Sequence, residues 1–220
     1  MARLLVTEQT ILDTAGPRLV VPTDALVTAL AADAARERGV EIVRTDAAAV
    51  APAPPAALPA APERSIAIGC DHGGFALKTA LVAEADRLGW SVLDVGTDSE
   101  ASVDYPDFAF AVARAVQTGV TQRGLMIDGV GVGSAMVCNK VSGVRAALCP
   151  DVFSAYNARA HNDAHVLTLG ARTMGAESCK RILAEFLTTP FEGGRHARRV
   201  GKMMEVEARF LPGDDCGCHD

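Results

Sequence analysis

The chain has 220 residues, 49% of them apolar, and a formal net charge of −6 at pH 7. This size suits one globular domain of medium length together with a smaller segment. The acidic balance argues against general binding to nucleic acid or to an anionic membrane surface. No apolar run approaches the ~18 residues of a membrane span, and the first residues contain no signal-peptide core. We therefore expect a cytoplasmic protein.

Residues 1–45 predict a small α/β segment. In chain order it contains a short helix, Glu8–Ala15, an extended "RLVVP", a second helix and a strand "VEIVR". The second helix is expected to begin near Thr23 or Asp24, both good capping residues, and to end before Gly39. About 45 residues is near the lower limit for independent folding, so this segment is predicted to be a docking or targeting module.

Residues 46–64 are rich in alanine and proline, which disfavours both helices and sheet ladders and predicts an extended linker. At the other end, residues 210–220 predict a disordered tail. The tail carries Cys216, Cys218 and His219, too few spaced ligands for a closed zinc site. The remaining cysteines lie in apolar surroundings and are expected to be buried and reduced: Cys70, Cys138, Cys149 and Cys179.

Residues 65–209 alternate between strand and helix patterns. The predicted strands are 65–70, 90–96, 124–128, 144–149 and 165–170, and the predicted helices are 75–88, 107–118, 134–141, 152–161, 176–187 and 194–208. Nearly continuous apolar strands are typical of a parallel sheet that is covered on both faces. The segment is therefore predicted to be a doubly wound, three-layer α/β/α domain with a five-stranded parallel sheet.

Polar residues and glycines follow two of these strands. In a sheet with strand order 2-1-3-4-5, ligands bind at the carboxyl ends of the first and third strands. The first strand is followed by Asp71 and His72 in "GCDHGG", and the third by Asp128 in "DGVGVGS". Neither G-x-G-x-x-G after the first strand nor a P-loop is present, which disfavours a nucleotide. The alternating Gly129, Gly131 and Gly133 either form a tight turn or direct backbone N–H groups at an anion, and we favour the anion.

Five blocks in the main domain resemble the ribose-5-phosphate isomerase B and galactose-6-phosphate isomerase family. They are "IGCDHGGFALK", "DYPDFA", "GVGVGSAMVCNKVSGVRAALC", "ARAHNDAHVLTLGAR" and "FEGGRHARRV", in family order from about residue 65 to 202. The resemblance implies a Rossmann-like domain and an aldose–ketose isomerase of sugar phosphates without metal or cofactor. It also implies a homodimer or dimer of dimers, with sites built from both subunits.

The resemblance also implies roles for individual residues. His161 would open the sugar ring, and Asn162 would hold a hydroxyl group. Asp71 and His72 would contact the sugar and phosphate ends. Tyr105 would line the pocket, and the loop residues Gly129, Gly131, Gly133 and Ser134 would contact the substrate. The phosphate would be bound by His72, Arg172, Arg195 and Arg199. Plainer interpretations remain: a solvated arginine pair, a helix-capping His161 and a helix-entry turn at Tyr105.

Asp128 departs from the family pattern. It occupies the position where many members carry the proton-transferring cysteine, Val130 replaces a common Thr or Ser, and Ser134 replaces the Glu of another branch. Three interpretations compete: Asp128 is the base, the site binds a sugar phosphate without turnover, or Asp128 is structural and binds loop amides while another group acts as the base. A carboxylate can carry out enediol chemistry, so we favour the first.

The leading functional hypothesis is isomerisation of ribose 5-phosphate to ribulose 5-phosphate with Asp128 and His161 as catalytic residues. The alternative is an inactive homologue that acts as a sensor or assembly component. A metal-dependent hydride-shift isomerase is a further rival, because Asp71, His72, Asp128 and His161 are possible cation ligands. "VPTDALVTALAADAARERGVEI" also resembles a module on enzymes of bacterial microcompartments, which adds a shell or cargo protein as a partner and the microcompartment interior as a location.

Overall fold

The structure is a computed structural model that describes residues 5–14, 16–23, 25–45 and 58–210. The chain divides into two compact units, residues 1–53 and residues 54–220. Within the described ranges, no helix combines the length and apolarity needed to cross a bilayer. The Ala/Pro-rich residues 46–57 and the tail residues 211–220, with Cys216, Cys218 and His219, lie outside the described residues.

The first unit is a small α/β segment with two pairs of parallel strands. Its elements are β1 Leu5–Val6, α1 Glu8–Leu12, β2 Arg18–Pro22, β3 Leu26–Val27, α2 Ala29–Arg38 and β4 Glu41–Thr45. Strand β1 pairs with β3, and β2 pairs with β4. Val6, Ile11 and Val21 form its core together with alanines of α2. The predicted α/β character of this segment is confirmed.

The start of α2 differs from the prediction. The helix begins at Ala29, and the capping residue is Thr28, whose hydroxyl accepts a hydrogen bond from the N–H of Ala31 at 3.1 Å. Thr23 precedes β3 instead, and Asp24 lies outside the described residues. The prediction failed because the two-residue strand β3 is too short to show a period of two, so its Leu-Val pair looked like part of the helix.

The second unit contains the predicted alternation of strands and helices. Its elements are β5 Ser65–Cys70, α3 Phe75–Arg87, β6 Ser91–Asp94, α4 Tyr105–Gln117, β7 Arg123–Asp128, α5 Val132–Cys138, β8 Ala146–Leu148, α6 Val152–Ala160, β9 Val166–Gly170, α7 Ala176–Thr188 and α8 Gly194–Phe210. Leu58 and Pro59, from the stretch predicted as a linker, pack against this unit beside Gly143 and Gly119.

The five strands form one parallel sheet in the order β6-β5-β7-β9-β8. The first and third strands, β5 and β7, are neighbours in the sheet, so the topological switch point lies between them as predicted. The last two strands are exchanged relative to the predicted 2-1-3-4-5 order. Strand β9 is buried along its whole length, whereas the three residues of β8 are only half-buried. The five-residue β9 thus takes the interior position between β7 and β8, and the three-residue β8 is an edge strand.

Apolar side chains cover both faces of the sheet. One core cluster joins α3, α6 and α7 to the strands through residues such as Leu81, Leu125 and Phe186. A second cluster joins α4 and α5 to the opposite face through Val112, Met126 and others. Helices on both faces confirm the predicted three-layer architecture. Cys70, Cys138, Cys149 and Cys179 are buried and free, also as predicted.

A charged cluster lies beneath the amino ends of β8 and β9. Asp163 has a left-handed backbone, with φ of 46°. Its carboxylate accepts hydrogen bonds from Arg159 at 2.8 Å and from Arg145 at 2.9 Å. His165 is part of this cluster, because its Nδ1 accepts from the N–H of Arg145 at 3.2 Å. Burial, together with the nearby Arg145, lowers the pKa of His165 to about 3.

We expect acid to weaken the fold through His165. An unfolded histidine binds a proton below pH ~6.5, whereas folded His165 stays neutral, so stability is fully present above that pH and falls as the pH drops. Between pH 7 and pH 5 the loss from this group is about 2 kcal/mol. His165→Asn keeps an acceptor for Arg145 but cannot titrate, so its free energy of unfolding should fall less over this interval.

Urea unfolding followed by the fluorescence of Trp90 measures this difference, because Trp90 is the single tryptophan and lies in the first core cluster. An equal loss of stability between pH 7 and pH 5 in both proteins would contradict the assignment to His165.

Candidate functional site

Two loops meet at the side of the sheet where the carboxyl ends of its parallel strands lie, as predicted. We call this side the carboxyl edge and the opposite side the amino edge. The loop after β5 carries Asp71, whose Oδ1 accepts a hydrogen bond from the N–H of Gly74 at 3.0 Å. The two loops touch at Gly73, where an added Cβ would lie 3.3 Å from the nitrogen of Gly129. The neighbouring His72 is half-buried, and its Nδ1 accepts from the N–H of Val103 at 3.3 Å.

Asp128 is the centre of the glycine loop. One carboxylate oxygen, Oδ1, accepts hydrogen bonds from the N–H groups of Val130, at 2.7 Å, and of Gly131. The other, Oδ2, accepts from the hydroxyl of Ser134. Both Asp128 and Ser134 are buried. One of the glycine amides that the sequence assigned to a bound anion, that of Gly131, therefore already has an anion of the chain itself as its acceptor.

Tyr105 and Arg172 border the same loop. Tyr105 is the first residue of α4, and its hydroxyl oxygen would lie 2.5 Å from a Cβ added at Gly133, so its ring lies directly over that glycine. Arg172 donates its N–H to the carbonyl of Gly129 at 3.0 Å, and its side chain runs alongside Gly129. The carboxyl edge thus combines carboxylates, an imidazole, a phenol and a guanidinium group around backbone amides.

A second polar cluster surrounds His161, which follows the last residue of α6. The imidazole of His161 stacks on that of His196, with ring centroids 4.0 Å apart and planes 3° from parallel. The Nε2 atoms of both rings lie 3.7 Å from one oxygen of Glu192. The other oxygen of Glu192 accepts a hydrogen bond from the hydroxyl of Tyr156 at 2.7 Å.

The phosphate-binding arginines predicted from the sequence belong to this second cluster. Arg195 and Arg199 lie one turn apart on α8 and are exposed. Arg195 donates from Nε to Nε2 of His196 at 3.2 Å. Burial first, and then the charges of His161 and the arginines, lower the pKa of His196, which keeps this ring neutral beside the guanidinium groups. Asn162 lies next to His161 and is exposed.

Within one chain, the Asp128 cluster lies at the carboxyl ends of the strands and the His161 cluster lies at their amino ends. Asp128 pairs with Gly170 at the carboxyl end of β9, whereas His161 precedes Val166 at its amino end. Four residue steps along a parallel strand separate these ends by about 13 Å. Asp71, His72, Asp128 and His161 therefore do not form one ligand set in a single chain, which contradicts the cation site considered from the sequence.

The groups that do converge are His161, Glu192 and His196, whose possible ligand atoms lie within 4.8 Å of one another. This set is chemically suited to a borderline metal ion. The stacked rings oppose it, because in-plane lone pairs of two parallel rings cannot point at one ion. A metal would require one of the imidazoles to rotate out of the stack.

Sequence reasoning missed several residues of the second cluster. Glu192, Tyr156, Asn157 and His196 were not singled out. Asn157 and His161 are four residues apart on one helix face, a spacing that could have revealed their contact. The Sγ atom of Cys138 contacts the carbonyl of Ala109 at 3.3 Å. Burial raises its pKa to about 12, so it is not available as a thiolate.

Comparison with known proteins decides the family. The profile of the Ribose/Galactose Isomerase family matches residues 66–203. The chain belongs to this family. Ribose-5-phosphate isomerase B of Escherichia coli is 43% identical over 146 residues, which cover 66% of this chain and 98% of that protein. D-erythrulose-4-phosphate isomerase of Pectobacterium atrosepticum is 41% identical over 144 residues, covering 65% and 95%.

Solved structures of the family share the fold of the second unit. Ribose-5-phosphate isomerase B of Clostridium thermocellum has a TM-score of 0.65 at 44% identity, covering 67% of this chain and 99% of that one. The enzyme of Mycoplasma genitalium, solved with bound ribulose 5-phosphate, has a TM-score of 0.62 at 40% identity, covering 65% and 95%. This family membership makes the chain a sugar-phosphate isomerase by class.

We expect Gly131 to be essential to the geometry of the glycine loop. Its φ is 86°, and an added Cβ would lie 2.5 Å from Leu148 and 3.1 Å from the backbone of Leu169. Gly131→Ala should destabilise the protein by roughly 2 kcal/mol or more, because the left-handed conformation and the contacts both oppose a side chain. Chemical denaturation monitored at Trp90 checks this value.

Gly201→Ala is the matched control. Gly201 lies inside α8 with open space around it, so alanine should raise helix stability by about 0.5–1 kcal/mol. If the two substitutions changed stability by the same amount, the special role of Gly131 would be wrong.

Proposed function

We propose that this protein interconverts ribose 5-phosphate and ribulose 5-phosphate. The observation that carries the proposal is the pair of polar loops at the carboxyl ends of β5 and β7, with Asp128 at their centre. The relatives named ribose-5-phosphate isomerase B and the one solved with ribulose 5-phosphate support a five-carbon substrate. A four-carbon or six-carbon sugar phosphate is the alternative, since one relative acts on D-erythrulose 4-phosphate.

We also propose that the complete site forms between two copies of the chain. The carboxyl edge offers a base and hydroxyl-binding groups, while the opposite edge offers His161, Asn162, Arg195 and Arg199. A sugar phosphate needs both sets, and about 13 Å of sheet separates them within one chain. A symmetric dimer can place the amino edge of each subunit against the carboxyl edge of its partner. The arginines then bind the phosphate of a sugar that lies on the partner's glycine loop.

In this site Asp128 acts as the base. Its Oδ2 removes the proton from C2 of the open-chain aldose, and the electron pair of that C–H bond forms the C1–C2 double bond. The carbonyl electrons move to O1, which gives an enediolate. Protonated Asp128 then returns its proton to C1, the proton of O2 passes to O1, and the electron pair of the O2–H bond forms the C2=O2 bond of the ketose. Ser134 fixes the orientation of the carboxylate, and the two loop amides hold Oδ1 in place.

Asp128→Asn tests this role directly. The substituted side chain is nearly isosteric and keeps an acceptor for the loop amides, but it cannot take the proton. We expect turnover of ribose 5-phosphate to fall by about 10² to 10⁴-fold with little change in KM. Turnover on a panel of tetrose, pentose and hexose phosphates measures both the base and the preferred substrate.

Other results would favour the competing interpretations. Turnover that Asp128→Asn leaves intact would make Asp128 a structural residue of the loop. A wild-type protein that binds sugar phosphates without turning over any of them would be a sensor or assembly component. Activity that is lost in a strong chelator and restored by a divalent ion would support the metal-dependent class.

Mixing two inactive variants tests the shared site. Asp128→Asn removes function at the carboxyl edge, and Arg195→Ala with Arg199→Ala removes it at the amino edge. If each site uses one edge from each copy, a mixed dimer contains one intact site. Refolding the variants together should then restore roughly a quarter of wild-type turnover. Sites contained within single chains would show no recovery.

We further propose that residues 1–45 form a docking or targeting module, joined through residues 46–64 to the isomerase domain at residues 65–209. The compact core of the first unit supports this division. Its partner would be a shell or cargo protein of a bacterial microcompartment, and the cytoplasm is the alternative location. A fluorescent protein fused to residues 1–53 should associate with a microcompartment if this is right, and a diffuse signal would contradict it.

A further inference from the structure

Asn157 contacts the imidazole of His161 on the side away from Glu192, and Asn162 in turn contacts Asn157. The Nδ2 atom of Asn157 lies 2.8 Å from Nδ1 of His161. The Nδ2 atom of Asn162 lies 3.3 Å from Oδ1 of Asn157 and 3.5 Å from the backbone carbonyl of the same residue. Asn162, Asn157 and His161 thus form a chain of hydrogen-bonding groups that ends on the ring.

The backbone carbonyl of Asn157 determines the direction of this chain. A carbonyl oxygen can only accept, so the amide group of Asn162 that faces it must be the NH₂ group. The same NH₂ group then faces the oxygen of the Asn157 side chain, which directs the NH₂ group of Asn157 at His161. An NH₂ group can only donate, so the facing Nδ1 must carry a lone pair rather than a proton.

The charge of Glu192 on the opposite side of the ring favours the same tautomer. Nε2 of His161 faces a carboxylate oxygen of Glu192 at 3.7 Å, and a carboxylate can only accept. The hydroxyl of Tyr156 donates to the other oxygen of Glu192, and this hydrogen bond lowers the pKa of Glu192. Glu192 is therefore ionised and favours a proton on Nε2.

We propose that Asn157 is a positioning residue that holds neutral His161 as its Nε2–H tautomer. The stacked His196 has the other tautomer, because Nε2 of that ring accepts from Arg195 and its proton must lie on Nδ1. His161 therefore presents a hydrogen-bond donor, not a lone pair, at the edge that faces Glu192.

This deepens the proposed function, and its kinetic consequence rests on that function. A neutral imidazole that donates from Nε2 can polarise a sugar oxygen, whereas it cannot remove a proton with that nitrogen. Protonation of Nδ1 would turn the contact with Asn157 into two opposed donors. The amide of Asn157 would then have to rotate and lose its bond to Asn162. The two asparagines thus oppose a proton on Nδ1 of the His161 ring.

Nitrogen-15 NMR of the full chain, labelled at histidine, tests the tautomer without a substrate. At pH 8 the nitrogen shifts of His161, assigned by comparison with a His161→Gln variant, should show a protonated Nε2 and a lone pair on Nδ1. Asn157→Asp places a carboxylate at Nδ1 and should put a proton on that nitrogen. Asn157→Leu removes the donor, so only Glu192 then favours a proton on Nε2, and the fraction with a proton on Nδ1 should rise above that of the wild type.

Tyr156→Phe is the neighbouring control. It removes the hydrogen bond to Glu192 without touching Asn157, so the Nε2–H tautomer should persist. Wild-type His161 with a proton on Nδ1 would overturn the proposal, and so would an Asn157→Asp variant with unchanged nitrogen shifts.

Kinetics separate this inference from the proposed function. We expect Asn157→Asp to lower kcat on ribose 5-phosphate by about tenfold with less than a twofold change in KM, since substrate binding does not depend on Asn157. A switched tautomer with unchanged kcat would refute the role of the tautomer in catalysis. A wild-type protein with the expected tautomer but no turnover would refute the isomerase proposal and leave the assignment of Asn157 intact.

Discussion

The parallel direction of all five strands determines how the functional groups of this chain are distributed. Parallel strands place all their carboxyl ends at one edge, and each connecting helix returns the chain to the other edge. Asp71 follows β5 and Asp128 is the last residue of β7, so both lie at the carboxyl edge. His161 follows a helix, so it lies at the amino edge with Arg195. No rotation of side chains can bring these groups together, because a strand length separates them.

The hydrogen bonds of Asp128 fix the conformation of the glycine loop at the carboxyl edge. A buried carboxylate is costly unless its lone pairs are used, and here two backbone amides and the hydroxyl of Ser134 use them. The loop is therefore arranged around a charge that belongs to the chain. This arrangement fits the structural interpretation of Asp128 as well as the catalytic one. Only a variant such as Asp128→Asn, which preserves the acceptor and removes the basicity, distinguishes them.

Much of the fold could be predicted from the sequence because the apolar strands and amphipathic helices are long enough to show their periods. The five main strands and the site at β5 and β7 follow from this pattern. The order of β8 and β9 could not be predicted, because both strands are short and apolar and neither pattern shows which one pairs with β7. The start of α2 was missed because β3 has only two residues. Asn157 and Glu192 were missed because their roles arise from side-chain contacts that no motif marks.

The outer strands of the sheet also restrict how copies of the protein can associate. Strands β6 and β8 form the two borders, and they contain only four and three residues. An outer strand of only three or four residues offers few free backbone N–H and C=O groups to a strand from another molecule. Growth of the sheet from one molecule into the next is therefore unfavourable, even where the protein is crowded together. Recognition between copies is left to side chains on helices and loops, which discriminate among partners far better than a backbone ladder does.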